Sequence, residues 1–368
     1  MQYTGDINAE GKFHGKGKLS MAADQWYEGQ WENGVRVGSG SATYPDGVVY
    51  DGQWALDVFN GTGRLSYADE SVFEGEWASG QIEGRGTMRT AEYTYVGDWS
   101  AGKKQGQGRC AYTAGDSYQG EWADDVWHGR GTWMLRRGES GDAAASGAAS
   151  DEKYVGEMRN GKMHGRGQYW YADGAVYDGD WEQSKMHGKG EYTFPNGNKY
   201  EGSFVADEKC GNGLLVYVNG QRYDGEWSGD KPHGSGSFHY DNGDKYTGEW
   251  RQGMKDGQGE LAFANNGDVY SGQWKNDAAD GMGTMRYACG DVYEGRWAED
   301  RRHGAGKLTC HADGSSYAGS FAAGRRHGEG ALTLATGDVL TATWEEGRLT
   351  ERQSFAYAEG SAWGAAEY

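Results

Sequence analysis

The chain has 368 residues with 66 glycines and only 3 prolines, while 16 Trp, 25 Tyr and 9 Phe supply many large rings. So many rings exclude an intrinsically disordered chain, and the scarcity of proline excludes a collagen-like one. The formal net charge of −19 disfavours nucleic acid as a partner, because that binding depends on basic residues that neutralise phosphates. It also weakens purely electrostatic docking onto anionic membranes.

A five-residue unit, Tyr-x-Gly-x-Trp, recurs along the chain at intervals of 22 to 24 residues, with one interval of 36. A Gly-x-Gly unit follows it, starting seven residues after the second ring in every copy from the second to the fourteenth. The first residues of the fifteen copies are Tyr3, Tyr27, Tyr50, Phe73, Tyr95, Tyr118, Tyr154, Tyr177, Tyr200, Tyr223, Tyr246, Tyr270, Tyr293, Tyr317 and Leu340.

Each copy alternates with a period of two, which predicts strands. Tyr50, Gly52 and Trp54 share one face, and Asp51 and Gln53 point to the other. Asx-Gly pairs between copies favour tight turns. Because one hairpin is marginal alone, we expect an all-β fold, an elongated single-layer antiparallel sheet of stacked β-hairpins. Thirty strands at ~4.8 Å each would form a repeat rod about 140 Å long.

In chain order, the repeats predict six copies in residues 1–137 and copies seven to fifteen in residues 151–347. Residues 138–150 are predicted to be a low-complexity loop insertion of small polar residues, interpreted as an inert surface loop with a hinge or processing site as the alternative. Residues 348–368 form a C-terminal tail or cap.

The motifs Tyr246-Thr247-Gly248-Glu249-Trp250 and Gly257-Gln258-Gly259 resemble the MORN (membrane occupation and recognition nexus) repeat, and the resemblance covers nearly all of the chain. The plan is similar to the MORN-only cytoskeletal proteins of protozoan parasites, with about fifteen copies, and to the MORN proteins of ciliary radial spokes. The resemblance to the protozoan proteins implies a dimeric scaffold at a membrane-associated cytoskeletal structure. The copies that depart from the pattern carry Met158, Phe204 and Phe321 for Trp, and Ala342 for Gly.

No catalytic or cofactor chemistry is predicted. Seven histidines precede Gly-x-Gly one repeat or more apart, so loop residues are favoured over a metal site, whose ligands must converge on one ion. No Gly-x-Gly continues into a phosphate-binding loop, and no nucleophile elbow occurs. Acidic residues before Trp, such as Asp98, are interpreted as cross-strand partners of basic residues inside Gly-x-Gly, such as Arg85. We therefore expect no enzyme, no cofactor and no metal.

The ring-bearing face is the candidate binding site. With no second layer predicted, we expect the rings to form a long apolar groove for an extended or helical protein segment, or for one lipid chain. The candidate groove residues are Trp181, Trp227, Trp250, Trp274, Trp297, Tyr223, Tyr246 and Tyr270. The glycines that make room for these rings are Gly179, Gly225, Gly248, Gly272 and Gly295.

The first function hypothesis is a non-enzymatic cytoskeletal scaffold that binds cytoskeletal proteins and forms homodimers through an unpaired terminal strand, with the C-terminal end favoured. The alternative is a phospholipid-binding module for membrane association. Four scattered cysteines without a CxxC pair favour a reducing compartment, and neither a signal peptide nor a long apolar span is evident. The expected location is the cytoplasm and cytoskeleton, at a cilium or flagellum, a basal-body region or the cell cortex.

Overall fold

The computed structural model describes residues 1–22, 24–136 and 151–359. It divides into two compact units, Met1–His187 and Gly188–Tyr368. The described residues contain thirty β-strands and no helix, which confirms the all-β antiparallel prediction. The loop insertion predicted at 138–150 lies outside the described residues.

The first unit contains fifteen complete strands. They are β1 (Gln2–Ile7), β2 (Phe13–Ala22), β3 (Gln25–Glu32), β4 (Val35–Thr43), β5 (Val49–Ala55), β6 (Val58–Ser66), β7 (Val72–Ala78), β8 (Gln81–Arg89), β9 (Tyr93–Ser100), β10 (Lys103–Tyr112), β11 (Ser117–Ala123), β12 (Val126–Leu135), β13 (Glu152–Arg159), β14 (Lys162–Trp170) and β15 (Val176–Glu182).

The second unit begins within β16 (Lys185–Thr193). Its other strands are β17 (Lys199–Val205), β18 (Glu208–Val216), β19 (Arg222–Ser228), β20 (Lys231–His239), β21 (Lys245–Arg251), β22 (Met254–Ala262), β23 (Val269–Lys275), β24 (Ala278–Arg286), β25 (Val292–Ala298), β26 (Arg301–Thr309), β27 (Ser316–Ala322), β28 (Arg325–Thr333), β29 (Val339–Glu345) and β30 (Arg348–Ala356). The segment predicted as a C-terminal tail or cap therefore begins with a strand.

Within each unit every strand pairs antiparallel with the next strand along the chain. In the hairpin of β21 and β22, Tyr246 is opposite Leu261 and Gly248 is opposite Gly259, and the register then shifts before Trp250 meets Lys255. The pairing of β22 with β23 has no such shift. A β-bulge inside the hairpin fixes which residues face each other, so both glycines remain beside the first ring.

The hairpin turns hold non-glycine residues in the left-handed region. Leu56 has φ 50° and Asp57 has φ 68°, and Leu56 is 77% exposed. Asn276 and Asp277 occupy the equivalent turn with φ 47° and 71°. Asparagine tolerates this conformation better than leucine, because its short polar side chain bonds locally to the backbone.

We expect Leu56→Asn to stabilise the protein by about 0.5 kcal/mol or more, since it relieves an unfavourable φ at a position where the side chain has no packing role. Urea unfolding followed by circular dichroism measures the change. Asn276→Leu, the reverse substitution in the equivalent turn, should lower stability by a similar amount. The prediction would be contradicted if both variants had the same free energy of unfolding as the native chain.

Candidate binding face

The first ring of each copy before the last lies over two glycines. The Tyr246 hydroxyl donates a hydrogen bond to the carbonyl oxygen of Glu249 at 2.9 Å. A Cβ added to Gly248 would overlap the Cα of Gly259 and the Tyr246 hydroxyl, and one added to Gly259 would overlap the same ring. The glycines are therefore required because the ring occupies the space that a side chain would need.

The second ring joins one copy to the copy before it. The Trp250 indole Nε1 donates to the carbonyl oxygen of Gly236 in the preceding copy, at 3.2 Å. Its ring lies edge-on to Tyr223 and to Tyr246, with both centroid distances 5.2 Å. Edge-to-face pairs stabilise aromatic clusters beyond the area they bury, so each Trp holds two copies together.

The structure buries every residue predicted to line the open groove, since none is more than 7% exposed. The eight are Trp181, Trp227, Trp250, Trp274, Trp297, Tyr223, Tyr246 and Tyr270. The expectation that these rings form an exposed apolar groove is therefore wrong. They are the core of the sheet, and residues absent from the prediction cover them.

Each predicted glycine lies opposite another glycine in the strand pairing. Four of the five pairs lie within one hairpin, where the first ring crosses both backbones, whereas Gly179 faces Gly167 of the preceding copy. The pairs are Gly179 with Gly167, Gly225 with Gly236, Gly248 with Gly259, Gly272 with Gly283, and Gly295 with Gly306.

In many copies the residue five positions after the second ring covers the rings; we name it the covering residue. Phe59 stacks on Tyr50 with a centroid distance of 3.8 Å. In other copies the covering residue is a cation, and the Arg36 guanidinium lies 4.3 Å from the centroid of the Trp54 ring. The cationic covering residues with a ring contact are Arg36, Lys104, Lys209, Lys255, Arg302 and Arg326.

An aspartate from the next copy forms an ion pair with two of these cations. Arg36 pairs with Asp57, and Lys209 pairs with Asp230, both at 2.9 Å. Each aspartate follows the second ring of its own copy by three residues. The final two copies carry glycine there, as Gly324 and Gly347, so the charge balance of the face changes at its C-terminal end.

A second residue per copy, four positions after the second glycine of Gly-x-Gly, closes the return loop with its backbone N–H; we name it the loop-closing residue. It is aromatic and partly buried in most copies: Tyr44, Tyr67, Tyr112, Tyr171, Phe194, Tyr217, Tyr240, Phe263 and Tyr287. Cys310 and Leu334 make the same backbone bond in the thirteenth and fourteenth copies.

Two adjoining cavities open where these smaller side chains stand. One, of about 450 Å³, is lined by Cys310, Leu308, Leu332 and both Arg302 and Arg326. The other, of about 620 Å³, is lined by residues that include Leu332, Leu334, Phe355 and Tyr357. Ligand pockets are typically apolar clefts of about 300–1,000 Å³ with a few polar groups, so both spaces are candidate ligand sites.

The last strand, β30, is an open edge. Every residue of Arg348–Ala356 is exposed, and β30 pairs only with β29 among the described strands. Its apolar side chains include Leu349, 42% exposed, and Phe355, 38% exposed, and Tyr357 beyond its end is 53% exposed. An exposed apolar edge is a template for pairing with another chain.

Burial changes the ionisation of the core tyrosines. It raises the pKa of Tyr27, Tyr50 and Tyr293 to about 12, because a phenolate is poorly solvated between the rings and the backbone. The pKa in an unfolded chain is about 10. The resulting stabilisation is thus fully present below pH 10 and is lost as the pH rises from about 10 to about 12.

We therefore expect the β-sheet circular dichroism signal to be unchanged at pH 9 and to disappear between about pH 10 and pH 12, together with cooperative ionisation of tyrosine. Near-ultraviolet phenolate absorbance measures the ionisation. Gradual tyrosine ionisation centred at pH 10 with the sheet intact would contradict this expectation.

The outward face carries ion pairs. Arg85 pairs with Asp98 at 3.1 Å and Arg166 with Asp180 at 3.5 Å, which confirms the cross-strand pairing predicted for these positions. Within residues 1–22, 24–136 and 151–359, no cluster of three or more His, Cys, Asp or Glu side chains could hold a metal ion. The same residues contain no helix long and apolar enough to span a membrane.

Comparison with known proteins identifies the repeat. The family model described as MORN repeat matches residues 9–22, 27–49, 50–72, 73–93, 95–117, 118–139, 154–176, 177–199, 200–222, 223–245, 246–268, 270–292, 293–314 and 317–339. A comparison with curated protein sequences gave no match.

Three solved structures match this chain at low identity and with TM-scores below 0.5. The Danio rerio CPAP TCP10 domain in complex with a STIL peptide is 12% identical, with 70% of this chain and 98% of that chain covered and a TM-score of 0.35. The Drosophila melanogaster SAS-4 (dCPAP) TCP domain in complex with a proline-rich motif of Ana2 (dSTIL) is 17% identical. The match covers 49% of this chain and 90% of that chain, with a TM-score of 0.29. Virginiamycin B lyase of Staphylococcus aureus is 9% identical, with 75% of this chain and 96% of that chain covered and a TM-score of 0.13.

Proposed function

The chain belongs to the MORN-repeat family, and from that premise we propose that it is a non-enzymatic cytoskeletal scaffold that binds other proteins and forms a homodimer through its C-terminal edge. The observation that carries the proposal is strand β30, which is exposed along its whole length. Sheet edges of this kind associate by adding a strand, and β30 presents apolar side chains for a second copy to bury.

The dimer is tested by light scattering on the purified full-length chain at micromolar concentration. A monomer has a mass of 40.2 kDa, so we expect about twice that value. Substituting both Leu349 and Phe355 by lysine should return the mass to that of the monomer, because charges on an edge strand oppose strand addition. Lysine at Val96, which is 53% exposed on the outward face, is the matched control and should leave the dimer intact.

A monomer at every concentration would remove the homodimer from the proposal. The cytoskeletal assignment is tested separately, by imaging a tagged copy and by affinity purification with mass spectrometry. Labelling of an axoneme, a basal body or the cell cortex would support a cytoskeletal scaffold and select among these locations, whereas diffuse labelling without cytoskeletal partners would contradict it.

A further inference from the structure

The repeat changes in two independent ways at one place near the C-terminus. The loop-closing ring is replaced by Cys310, which leaves the 450 Å³ cavity. The aspartates that would neutralise the covering residues Arg302 and Arg326 are replaced by Gly324 and Gly347. The first change supplies space beside apolar side chains, and the second leaves positive charge next to that space.

Both arginines are half-buried and held in place. Arg302 donates from Nη2 to the carbonyl oxygen of Gly324 at 2.7 Å, and the Arg326 guanidinium lies 4.2 Å from the Trp344 ring centroid. Among the described residues neither guanidinium forms an ion pair, in contrast to Arg36 with Asp57. A planar guanidinium fixed by packing is well suited to bind a carboxylate with two hydrogen bonds.

Apolar surface continues beyond the charged cavity. Leu332 lines this cavity and also the larger one that contains Leu334, Phe355 and Tyr357. The floor of the charged cavity includes Leu308 and Phe321. An occupant therefore needs an anionic group and, close to it, an aromatic or long aliphatic side chain.

We infer that this cavity binds an acidic, aromatic-containing segment of a protein partner, with a Glu or Asp carboxylate between Arg302 and Arg326 and an aromatic side chain in the space beside Cys310. The aromatic side chain takes the place that Tyr287 and the other loop-closing rings fill in their own copies. This inference rests on the proposed scaffold function and names one class of its partners.

A protein segment fits this site better than an anionic lipid. The larger cavity carries Asp313 and Asp338 in its lining, and the whole chain has a net charge of −19, so a phosphate-rich membrane surface is repelled around the two arginines. A peptide delivers a single carboxylate and an apolar side chain without bringing further negative charge.

The repeat itself supplies variants that close the site without disturbing the fold. Cys310→Tyr restores the loop-closing ring seen at Tyr287. Gly324→Asp and Gly347→Asp restore the neutralising carboxylates, and the backbone permits both because Asp57 and Asp230 have φ 68° and 64° at the same turn position. An added Cβ at Gly324 meets no atom within 4 Å, and at Gly347 only the Arg325 Cβ at 3.9 Å.

Binding is measured by fluorescence anisotropy on the full-length chain. The probes are labelled ten-residue Gly/Ser peptides that contain one Glu and one Phe separated by zero to three residues. We expect at least one spacing to bind with a Kd below about 1 mM, and its Gln-for-Glu counterpart to bind about tenfold more weakly or worse. Cys310→Tyr alone, and Gly324→Asp with Gly347→Asp, should each weaken binding at least tenfold while the melting temperature is maintained.

The inference is overturned if no peptide of the panel binds, if Glu and Gln peptides bind equally, or if the variants bind like the native chain. It is also overturned if phosphatidylserine-containing vesicles, and not the peptides, bind in an arginine-dependent way. The dimer mass is measured on the same samples, so a failed peptide site with an intact dimer leaves the proposed scaffold function standing, while the loss of both would reject it.

Discussion

Gly248→Ala is expected to destabilise the protein by about 3 kcal/mol, the upper end of the range for overpacking, because the surrounding atoms cannot move aside. The added methyl group would overlap the Cα of Gly259 and the Tyr246 hydroxyl, and both of those atoms are held by the strand pairing and by the bond to Glu249. Urea unfolding monitored by tryptophan fluorescence measures the loss. Thr247→Ser, on the outward face of the same strand, keeps the hydroxyl that bonds to Ser237 at 3.1 Å and should change stability by less than about 0.5 kcal/mol.

The last copy provides a second test of the same steric argument. Ala342 occupies the glycine position there, fully buried, and the first ring of that copy is replaced by Leu340. Transferring that pair to the eleventh copy, as Tyr246→Leu with Gly248→Ala, should therefore cost less than the sum of the two single substitutions. Strict additivity would show that the ring is not the obstacle.

Trp250→Ala is expected to cost about 3–5 kcal/mol, the range for removing a large buried ring. The substitution deletes edge contacts to Tyr223 and Tyr246 and the hydrogen bond to Gly236 of the preceding copy. Trp250→Phe is the matched control, since Phe204 and Phe321 occupy this position in other copies and are buried there. That variant should lose only about 1 kcal/mol, the contribution of the indole hydrogen bond.

A stability loss in Trp250→Phe equal to that in Trp250→Ala would contradict this division between ring packing and hydrogen bonding. Because stability in a repeat protein is a sum of local and nearest-neighbour terms, the unfolding of Trp250→Ala should also become less cooperative. Hydrogen exchange that rises only in the copies next to Trp250 would show this directly.

The strand period and the hairpin plan could be read from the sequence because they depend on neighbours within one copy. Tyr50, Gly52 and Trp54 alternate with Asp51 and Gln53, and a period of two has one structural meaning. The spacing to Gly-x-Gly is constant, so the pairing of Gly52 with Gly63 follows from the hairpin itself.

Whether the ring-bearing face is exposed or covered could not be predicted from neighbours within one copy. Whether Trp54 is open or covered depends on Arg36 of the preceding copy, and Asp57 neutralises the positive charge of this arginine. These contacts join residues that are about twenty positions apart in the chain. The covering and loop-closing residues do stand at fixed positions, five residues after the second ring and four after the second glycine of Gly-x-Gly. The covering residue, however, is cationic in some copies and apolar in others. Only the structure shows that both residue types cover a ring.

Wherever the second-ring indole donates a hydrogen bond, the bond points from one copy to the copy before it, as from Trp227 to Gly213 and from Trp250 to Gly236. A nascent chain leaves the ribosome with its N-terminus first. The Trp that donates a hydrogen bond to one copy therefore lies in the next copy to emerge. Growth during translation therefore leaves a single unfinished copy at any moment, whatever the number already made. An early stop in translation would likewise expose one incomplete copy at the truncated end.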